Sequence, residues 1–378
     1  MLSDSKMTDE SSGKKNSNDK KTDTIINILD GAKSQFPPIA PELDSQRKIA
    51  ADRNCSLEER LEAFEDIIDS EIGDTNLTRA RNIEREFGLR QIFLKFEGTT
   101  PTGTQKDRIA FSQVMDALRR GYDTVTVATC GNYGAAISLA ASIAGVDCEI
   151  YIPEMYHTSR IKEIEGNGAK IIRVPGDYEN SVKVSQEVAD KKEYYDANAG
   201  GDNTMIQLRA YGEIANEIYD ELRDAPAAVA MPVSNGTTLA GIYKGFLSLY
   251  RRGKTSKIPR IVAGSSFGKN PIIQAYLKNL ANCEDLSPEK IHETAVNEPL
   301  INWRSIDGDY ALEAIRETGG WGAYATDKNM IYFSKILRDK EGLSVLPAST
   351  AGLIALLDKH KKETLPNDRY VIILTGRK

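Results

Sequence analysis

Three loops rich in glycine and hydroxyl residues contain the side chains best suited to do chemistry. The first spans residues 97–108 and carries Lys106, the second spans residues 129–134 and carries Asn132, and the third spans residues 233–238. A lysine amine is a nucleophile towards carbonyl carbons, whereas backbone N–H groups at the start of a helix bind anions. The three loops together predict a site that combines a reactive amine with anion binding.

The first loop superficially resembles a triphosphate-binding loop. Gly98 and Gly103 stand five residues apart, as the glycines of that motif do. The motif requires a lysine directly after the second glycine, but here two residues intervene, and Asp107 follows Lys106. The loop therefore does not predict a nucleoside triphosphate site. Taken alone, Lys106 is equally compatible with a solvated side chain that is paired with Asp107.

The second and third loops have the composition of anion cradles. Gly131 and Gly134 flank Asn132, so that backbone N–H groups at a helix start can face a carboxylate. The third loop offers backbone amides and three hydroxyls without a positive side chain, in Ser234, Asn235, Gly236, Thr237 and Thr238. This composition suits a phosphate held by a helix dipole and hydrogen bonds. Each loop by itself is also compatible with an ordinary capped turn.

The elements that must position these loops are short β-rich runs alternating with helix-length segments. The predicted strands are residues 91–96, 124–128, 148–152, 170–174, 227–231, 260–263 and 370–374. The predicted helices include residues 135–144, 181–191, 204–223 and 239–251, and a capping box is predicted at residues 56–59. Parallel neighbours need a long crossover, usually a helix, so the pattern predicts an α/β fold with mainly parallel sheets. Ligands bind beyond the carboxyl ends of such strands.

Composition excludes several functional classes. The 378-residue chain has 49 Lys and Arg against 55 Asp and Glu, a net charge of −6, so it has no general attraction for nucleic acid or an anionic membrane. It has neither a run of about 18 apolar residues nor a secretory signal, which predicts a cytoplasmic protein. Its four cysteines and three histidines lack ligand spacing, so no metal site is expected. Residues 1–31 are predicted to be a disordered tail.

The joint order of these motifs resembles the fold type II pyridoxal-phosphate enzymes, and within them the threonine synthases. The resemblance rests on Lys106-Asp107-Arg108 after a Pro-Thr-Gly turn, the Asn132 loop, the hydroxyl-rich third loop and the ending Leu374-Thr375-Gly376. A further similar segment is residues 341–349, and the resemblance covers residues 70–378. It departs from the family at Thr104-Gln105, where Ser-Phe is usual, and at Asn76, where proline is usual.

The resemblance implies two doubly wound, mainly parallel α/β domains with pyridoxal 5'-phosphate in the cleft between them. The large domain would comprise residues 32–104 and 208–378, and the small mobile domain would comprise residues 105–207 with the Asn132 loop. A homodimer is expected.

The resemblance also implies roles for individual residues. Lys106 would form a Schiff base with the cofactor aldehyde and then move protons. Asn132 would bind the phenolic oxygen, and Thr375 would meet the pyridine nitrogen. The phosphate would be held by Ser234, Asn235, Gly236, Thr237 and Thr238. The substrate would be held by Thr102, Thr129, Cys130, Gly131 and Asn132.

The implied reaction is elimination or replacement on an amino acid that carries a β or γ leaving group. The resemblance favours a lyase of the threonine synthase type, which converts the phosphorylated amino acid O-phosphohomoserine to threonine and phosphate. The alternatives are a β-replacement enzyme of cysteine or cysteate synthase type and a Ser/Thr dehydratase. A third hypothesis, motivated by the departures from the family, is a non-catalytic relative that binds the cofactor. Candidate cations for a leaving phosphate are Arg108, Arg160, Lys162 and Arg209.

Overall fold

A computed structural model describes residues 39–129, 131–156 and 160–378 of the chain. The predicted tail, residues 1–31, and Cys130 of the second loop lie outside these described residues. The elements below all belong to the unit Glu42–Lys378, one of the two units into which the chain divides.

Ten strands form two sheets in the described part of the chain. The first sheet has the order β1-β2-β10-β7-β8-β9 and the second has the order β5-β4-β3-β6. The strands are β1 Leu77–Arg79, β2 Ile92–Phe96, β3 Thr124–Ala128, β4 Asp147–Pro153, β5 Lys170–Val174, β6 Tyr195–Asp196, β7 Ala228–Pro232, β8 Arg260–Ser266, β9 Trp321–Ala325 and β10 Tyr370–Leu374.

Helices connect these strands and cover the faces of the sheets. They are α1 Asp44–Ala51, α2 Leu57–Glu71, α3 Arg81–Phe87, α4 Lys106–Arg119, α5 Asn132–Ala144, α6 Ile161–Gly166, α7 Tyr178–Lys192, α8 Thr204–Leu222, α9 Thr237–Arg251, α10 Pro271–Lys278, α11 Gly308–Glu317, α12 Asp327–Glu341 and α13 Ala351–Lys362. Helix α2 begins with the predicted capping box, in which the Ser56 hydroxyl accepts from Glu59 N and the Glu59 carboxylate accepts from Ser56 N.

All strand pairs are parallel except β1 with β2, which confirms the predicted α/β class with mainly parallel sheets. Each predicted strand is present with its ends within three residues of the prediction. The sequence analysis missed β1 and β6, which are only three and two residues long, and β9. Strand β9 has weak β propensity because it begins beside Gly320 and contains Gly322. A Cβ at Gly320 would lie 1.9 Å from the Ile261 carbonyl oxygen, so the glycine permits close strand packing.

Apolar side chains pack on both faces of the first sheet. One core contains Met330, Leu337 and Leu353 from helices α12 and α13, and the other contains Tyr211, Phe246 and further residues of α8, α9 and α11. Helices α8 and α9 approach closely because glycines face each other, and a Cβ at Gly245 would lie 2.5 Å from the Gly212 oxygen. This close packing fixes α9, whose first turn follows the third loop.

A buried cluster of four charged side chains, Lys95, Glu97, Arg108 and Glu217, joins β2, α4 and α8. Arg108 donates to Glu97 at 2.6 and 3.0 Å and to Glu217 at 2.6 and 2.9 Å, while Lys95 Nζ lies 2.5 Å from Glu217. The two positive and two negative charges balance within the cluster. Burial would raise the pKa of Glu217, but hydrogen bonds and charge from Arg108 and Lys95 lower it to about 2. Glu217 therefore stays ionised, and its ion pair with Arg108 holds the first turn of α4 against α8.

Among the described residues, no helix combines the length and the apolar character that crossing a membrane requires.

Replacement of Arg108 by methionine is expected to destabilise the fold by about 3–5 kcal/mol, because it leaves two buried glutamates with one lysine. Chemical denaturation followed by circular dichroism measures the change in the free energy of unfolding. Arg120→Met, at an exposed end of the same helix, is the matched control and should cost much less. Equal losses for the two variants would contradict the role assigned to the cluster.

Candidate active site

The carboxyl ends of β2, β7 and β10 open into a cleft, which is the position where sheets of parallel strands usually bind ligands. The cleft brings together most of the residues that the sequence analysis selected. Those that line it are Lys106, Asn132, Ser234, Asn235, Gly236, Thr237, Thr238 and Thr375. Thr104, Gln105, Pro299, Leu300, Leu346 and Ser349 also line it.

A short antiparallel pairing places Lys106 beside Thr375. Thr104 pairs with Gly376, Gln105 N donates to the Thr375 oxygen at 3.0 Å, and Arg377 N donates to the Gly103 oxygen at 2.9 Å. The loop before Lys106 is thereby fixed to the residues that follow β10. The lysine and the hydroxyl predicted to meet opposite parts of one ligand are held by the same hydrogen bonds.

Lys106 begins helix α4 and is half-buried, with its amine directed into the cleft. Burial lowers the pKa of its amine to about 8, although the charge of Asp307 acts in the opposite direction. Its Nζ lies 5.8 Å from the centre of the Tyr133 ring. A lysine with this pKa has a substantial neutral, nucleophilic fraction near neutral pH.

Asp107 does not serve as a counter-ion for Lys106. Its carboxylate is fully buried and accepts hydrogen bonds from Thr102 N at 2.9 Å and from the Thr102 hydroxyl at 2.6 Å. Burial raises the pKa of Asp107 to about 6. The alternative interpretation of Lys106 as a solvated side chain paired with Asp107 is therefore wrong.

The third loop forms a cup between β7 and α9, here called the cup and comprising residues 234–238. In the described parts of the chain, no backbone carbonyl accepts a hydrogen bond from the N–H groups of these five residues. Their N–H groups lie at the positive end of α9, whose dipole favours an anion. The cup thus has the unpaired donors that a phosphate requires.

Gly236 is required by the shape of the cup. Its φ of +98° lies in the left-handed region, which disfavours other residues. A Cβ at this position would lie 2.8 Å from the Asp307 oxygen and 2.9 Å from the Ala311 Cβ. The segment before α11 therefore lies directly against the cup.

Asn132 is the first residue of α5, and its side chain is oriented by Arg160. Arg160 Nη1 donates to Asn132 Oδ1 at 2.8 Å, and Arg160 Nη2 donates to the Thr102 oxygen at 2.9 Å. Because Oδ1 is already an acceptor for the guanidinium, the amide Nδ2 is the atom left to donate to a ligand. The sequence alone gave no signal for this contact.

Not every predicted substrate residue reaches the cleft. Thr102 and Thr129 are buried, and neither they nor Gly131 belong to the residues that line the cleft. Thr129 N donates to the Tyr151 oxygen at 3.2 Å, and Gly131 caps α5. Thr102 accepts from the same arginine that orients Asn132, and Gly131 directly precedes Asn132 in the chain.

The four candidate cations for a leaving phosphate have different surroundings. Arg108 is occupied by Glu97 and Glu217, so its guanidinium does not face the cleft. The side chains of Lys162 and Arg209 are exposed. Arg160 is the one of the four that contacts both the Asn132 loop and the first loop.

Two residues that the sequence analysis did not assign to the site belong to it. Ser349 is fully buried, and its hydroxyl lies 3.0 Å from the Thr375 hydroxyl and accepts from Gly376 N at 3.1 Å. Asp307 accepts from the Thr237 hydroxyl at 2.5 Å. Ser349 is the last residue of the family-like segment 341–349, which is a usable signal, whereas no local pattern marks Asp307.

Reductive methylation of the cofactor-free protein with formaldehyde is expected to modify Lys106 faster than the exposed Lys162 at pH 7. The lowered pKa of about 8 gives Lys106 a larger neutral fraction, and its rate should fall about tenfold per pH unit below pH 7. Mass spectrometry of proteolytic peptides measures both rates in one sample. A Lys106 rate at or below that of Lys162 across pH 6–9 would contradict the depressed pKa.

The chain has recognisable relatives among known protein families and individual proteins. Residues 68–376 match the family described as "Pyridoxal-phosphate dependent enzyme". Threonine synthase of Methanocaldococcus jannaschii is 29% identical over 305 residues, which are 80% of this chain and 74% of that protein. Threonine synthase of Mycobacterium tuberculosis is 28% identical over 287 residues, 75% of each protein.

Solved structures show the same fold at lower identity. Maize serine racemase has a TM-score of 0.68 at 19% identity over 84% of this chain and 93% of that chain. The processed form of threonine deaminase isoform 2 from Solanum lycopersicum has a TM-score of 0.68 at 16% identity over 85% and 90%. These likenesses confirm the predicted fold type II. The family match covers about four-fifths of the chain, and Lys106, the cup and Thr375 line one cleft. The chain therefore belongs to the pyridoxal-phosphate dependent enzymes.

Proposed function

We propose that this enzyme converts O-phosphohomoserine to threonine and phosphate, with Lys106 as its catalytic residue. The observation that carries the proposal is the position of the Lys106 amine in one cleft with the cup, Asn132 and Thr375. The substrate is suggested by the relatives, which are named threonine synthase and which this chain matches over most of its length.

The residues in the cleft fit the cofactor. Five unpaired N–H groups in the cup match a phosphate, and the neutral amine fraction of Lys106 matches an aldehyde. The hydroxyls of Thr375 and Ser349 offer an uncharged partner for a ring nitrogen. Thus the cup would hold the phosphate, Lys106 the aldehyde carbon, Asn132 Nδ2 the phenolic oxygen and Thr375 the ring nitrogen.

When bound, pyridoxal phosphate supplies an electron sink for the negative charge that forms when a proton leaves the substrate carbon. A neutral hydroxyl such as that of Thr375 would leave the ring less electron-withdrawing than an aspartate partner would, which favours elimination and replacement over transamination. The chain's own residues decide where protons move and how the substrate is held.

Lys106 is the group that takes and returns protons. Its amine has a pKa of about 8 and is well matched to proton transfer near neutral pH. The N–H groups at the start of α5 offer a site for the substrate carboxylate, and Arg160 keeps Asn132 in one orientation. Arg160 also lies near the first loop, where a leaving phosphate would need positive charge, and there it would exchange its ion pair with Glu163, now at 2.7 Å, for the phosphate.

Closure of the region formed by residues 105–207 over the substrate would exclude water until it is required as the nucleophile. A contact between the second sheet and the segment before α11 is suited to hold a closed form. The Tyr156 hydroxyl donates to Glu298 at 2.7 Å, and Pro299 and Leu300 beside Glu298 line the cleft. The site and the contact are thus adjacent along the chain.

Gly236→Ala is expected to weaken cofactor binding by at least about tenfold, because the added methyl group would overlap the Asp307 oxygen. The dissociation constant is measured by equilibrium dialysis and absorbance. Gly253→Ala is the matched control, since Gly253 also has a positive φ of +66° but has no atom within 4 Å of an added Cβ. Unchanged affinity in Gly236→Ala would contradict the assignment of the cup.

Incubation of the purified enzyme with O-phospho-L-homoserine is expected to release equal amounts of phosphate and threonine. Lys106→Ala should lower the rate by about 10²–10⁴-fold, because it removes the group that moves protons. Amino-acid analysis and a phosphate assay measure both products.

Parallel incubations separate the alternatives. Incorporation of sulfide or sulfite into O-acetylserine would identify a β-replacement enzyme, and ammonia with a 2-oxo acid from serine or threonine would identify a dehydratase. A protein that binds the cofactor but shows no spectral change with any amino acid would be a non-catalytic relative. Each of these outcomes, without threonine formation, contradicts the proposal.

A further inference from the structure

Asp307 is a buried carboxylate that is turned away from its own helix. It occupies the N-cap position of α11, where an aspartate usually accepts a hydrogen bond from the first turn. Its side chain makes no such bond and is only 2% exposed. The carboxylate instead reaches across to the cup.

Asp307 contacts the cup through both its side chain and its backbone. The Thr237 hydroxyl donates to Oδ2 at 2.5 Å, and the Thr204 hydroxyl, from the first turn of α8, lies 3.4 Å from Oδ1. Asp307 N donates to the Asn235 oxygen at 3.2 Å. The side chain therefore touches the phosphate-binding loop without belonging to it.

The number of protons limits what Thr237 can do. A hydroxyl has one proton, and an ionised carboxylate can only accept, so Thr237 gives its proton to Asp307 and has none for a phosphate. A protonated Asp307 donates to the Thr237 oxygen, and the hydroxyl proton is then free to bond a phosphate oxygen. The direction of one hydrogen bond thus decides whether Thr237 is a donor in the cup.

Charge acts in the same direction. The charged group that faces Asp307 among the described residues is Lys106, from the start of α4, while its neighbours on α8, α9 and the cup are Thr204, Thr237 and Asn235. Burial raises the pKa of Asp307 above its ordinary value, and Lys106 opposes that rise. A phosphate dianion in the cup would add a like charge nearby and favour the protonated carboxyl further.

We infer that Asp307 is a positioning residue of the cup and that phosphate binding there is coupled to uptake of one proton by its carboxyl group. The inference rests on the proposed function, because it takes the cup to be the phosphate site. The proton passes from solvent to Asp307 Oδ2, the Thr237 hydroxyl reverses its hydrogen bond, and no covalent bond to phosphorus is made or broken.

The test compares the enzyme with Asp307→Asn, whose amide donates to Thr237 at every pH. The probe is pyridoxal 5'-phosphate, and its dissociation constant is measured by equilibrium dialysis between pH 6 and pH 8.5. The ratio of the two constants removes the titration of the cofactor, and the same ratio for pyridoxal without its phosphate reports the influence of Asp307 on Lys106. The variant is expected to bind more tightly than the wild type, by about tenfold at pH 8.5 and less at pH 6.

Asp309→Asn is the matched control. Asp309 is exposed on the same helix, and its carboxylate accepts from Cys283 N rather than from the cup. It should follow the wild type at every pH. A second variant, Thr237→Val, has no hydroxyl to reverse, so adding Asp307→Asn to it should change the pH dependence little. A constant ratio of wild type to Asp307→Asn across the pH range would overturn the inference.

Pyridoxal without its phosphate separates this inference from the proposed function. Its ratio for the wild type and Asp307→Asn should vary less with pH than the ratio for the phosphorylated cofactor, because pyridoxal reports only the influence of Asp307 on Lys106. If Gly236→Ala weakens binding of the phosphorylated cofactor while the Asp307→Asn ratio stays constant, the inference fails and the cup assignment stands. If Gly236→Ala has no effect either, the proposed function fails as well.

Discussion

The short antiparallel pairing between Thr104 and Gly376 is the constraint on which the site depends. It joins two segments that are far apart in sequence, the loop before Lys106 and the residues after β10. Strand β10 lies between β2 and β7 in the centre of the first sheet, so the pairing inherits the rigidity of buried strands on both sides. Lys106, Thr375 and the cup are therefore parts of one sheet edge rather than of independent loops.

A buried cluster of balanced charges also fixes the position of Lys106. The cluster of Lys95, Glu97, Arg108 and Glu217 includes the side chain two residues past Lys106 and uses Arg108 as a bidentate donor to two carboxylates. Without this cluster, the side chain of Lys106 could change its rotamer and its degree of burial. With Arg108 fixed, the start of α4 has one position, and the partial burial that lowers the pKa of Lys106 follows from it.

Most of the fold can be predicted from the sequence, because β-rich runs and helical segments alternate clearly along the chain. The sequence pattern predicts both ends of strands β3, β5 and β10 correctly, and it singles out the loops that follow β2, β3 and β7 as candidate site loops. Loops at the carboxyl ends of parallel strands in one sheet converge, which explains why Lys106 and residues 234–238 lie together. Asn132 follows β3 of the second sheet, and its place in the same cleft does not follow from that rule.

What the sequence could not reveal were contacts between side chains that no local pattern relates. Asp307 has the appearance of a helix cap, and only its burial beside Thr237 shows that it serves the cup. The sequence suggests Arg108 as a ligand for an anion, but it does not indicate that Glu97 and Glu217 already bind its guanidinium. The orientation of Asn132 depends on Arg160, 28 residues later, and no local pattern relates the two residues.

The central position of β10 also bears on how the protein is made. Its neighbours β2 and β7 are translated well before it, and until it inserts between them their inner edges have no partner in the final sheet order. The pairing that positions Lys106 must therefore wait for β10, which is synthesised after both of its neighbours, and the nascent chain exposes unpaired edges during that interval. A truncated ribosomal product would carry every cup residue and the lysine, yet would lack the geometry that makes them reactive.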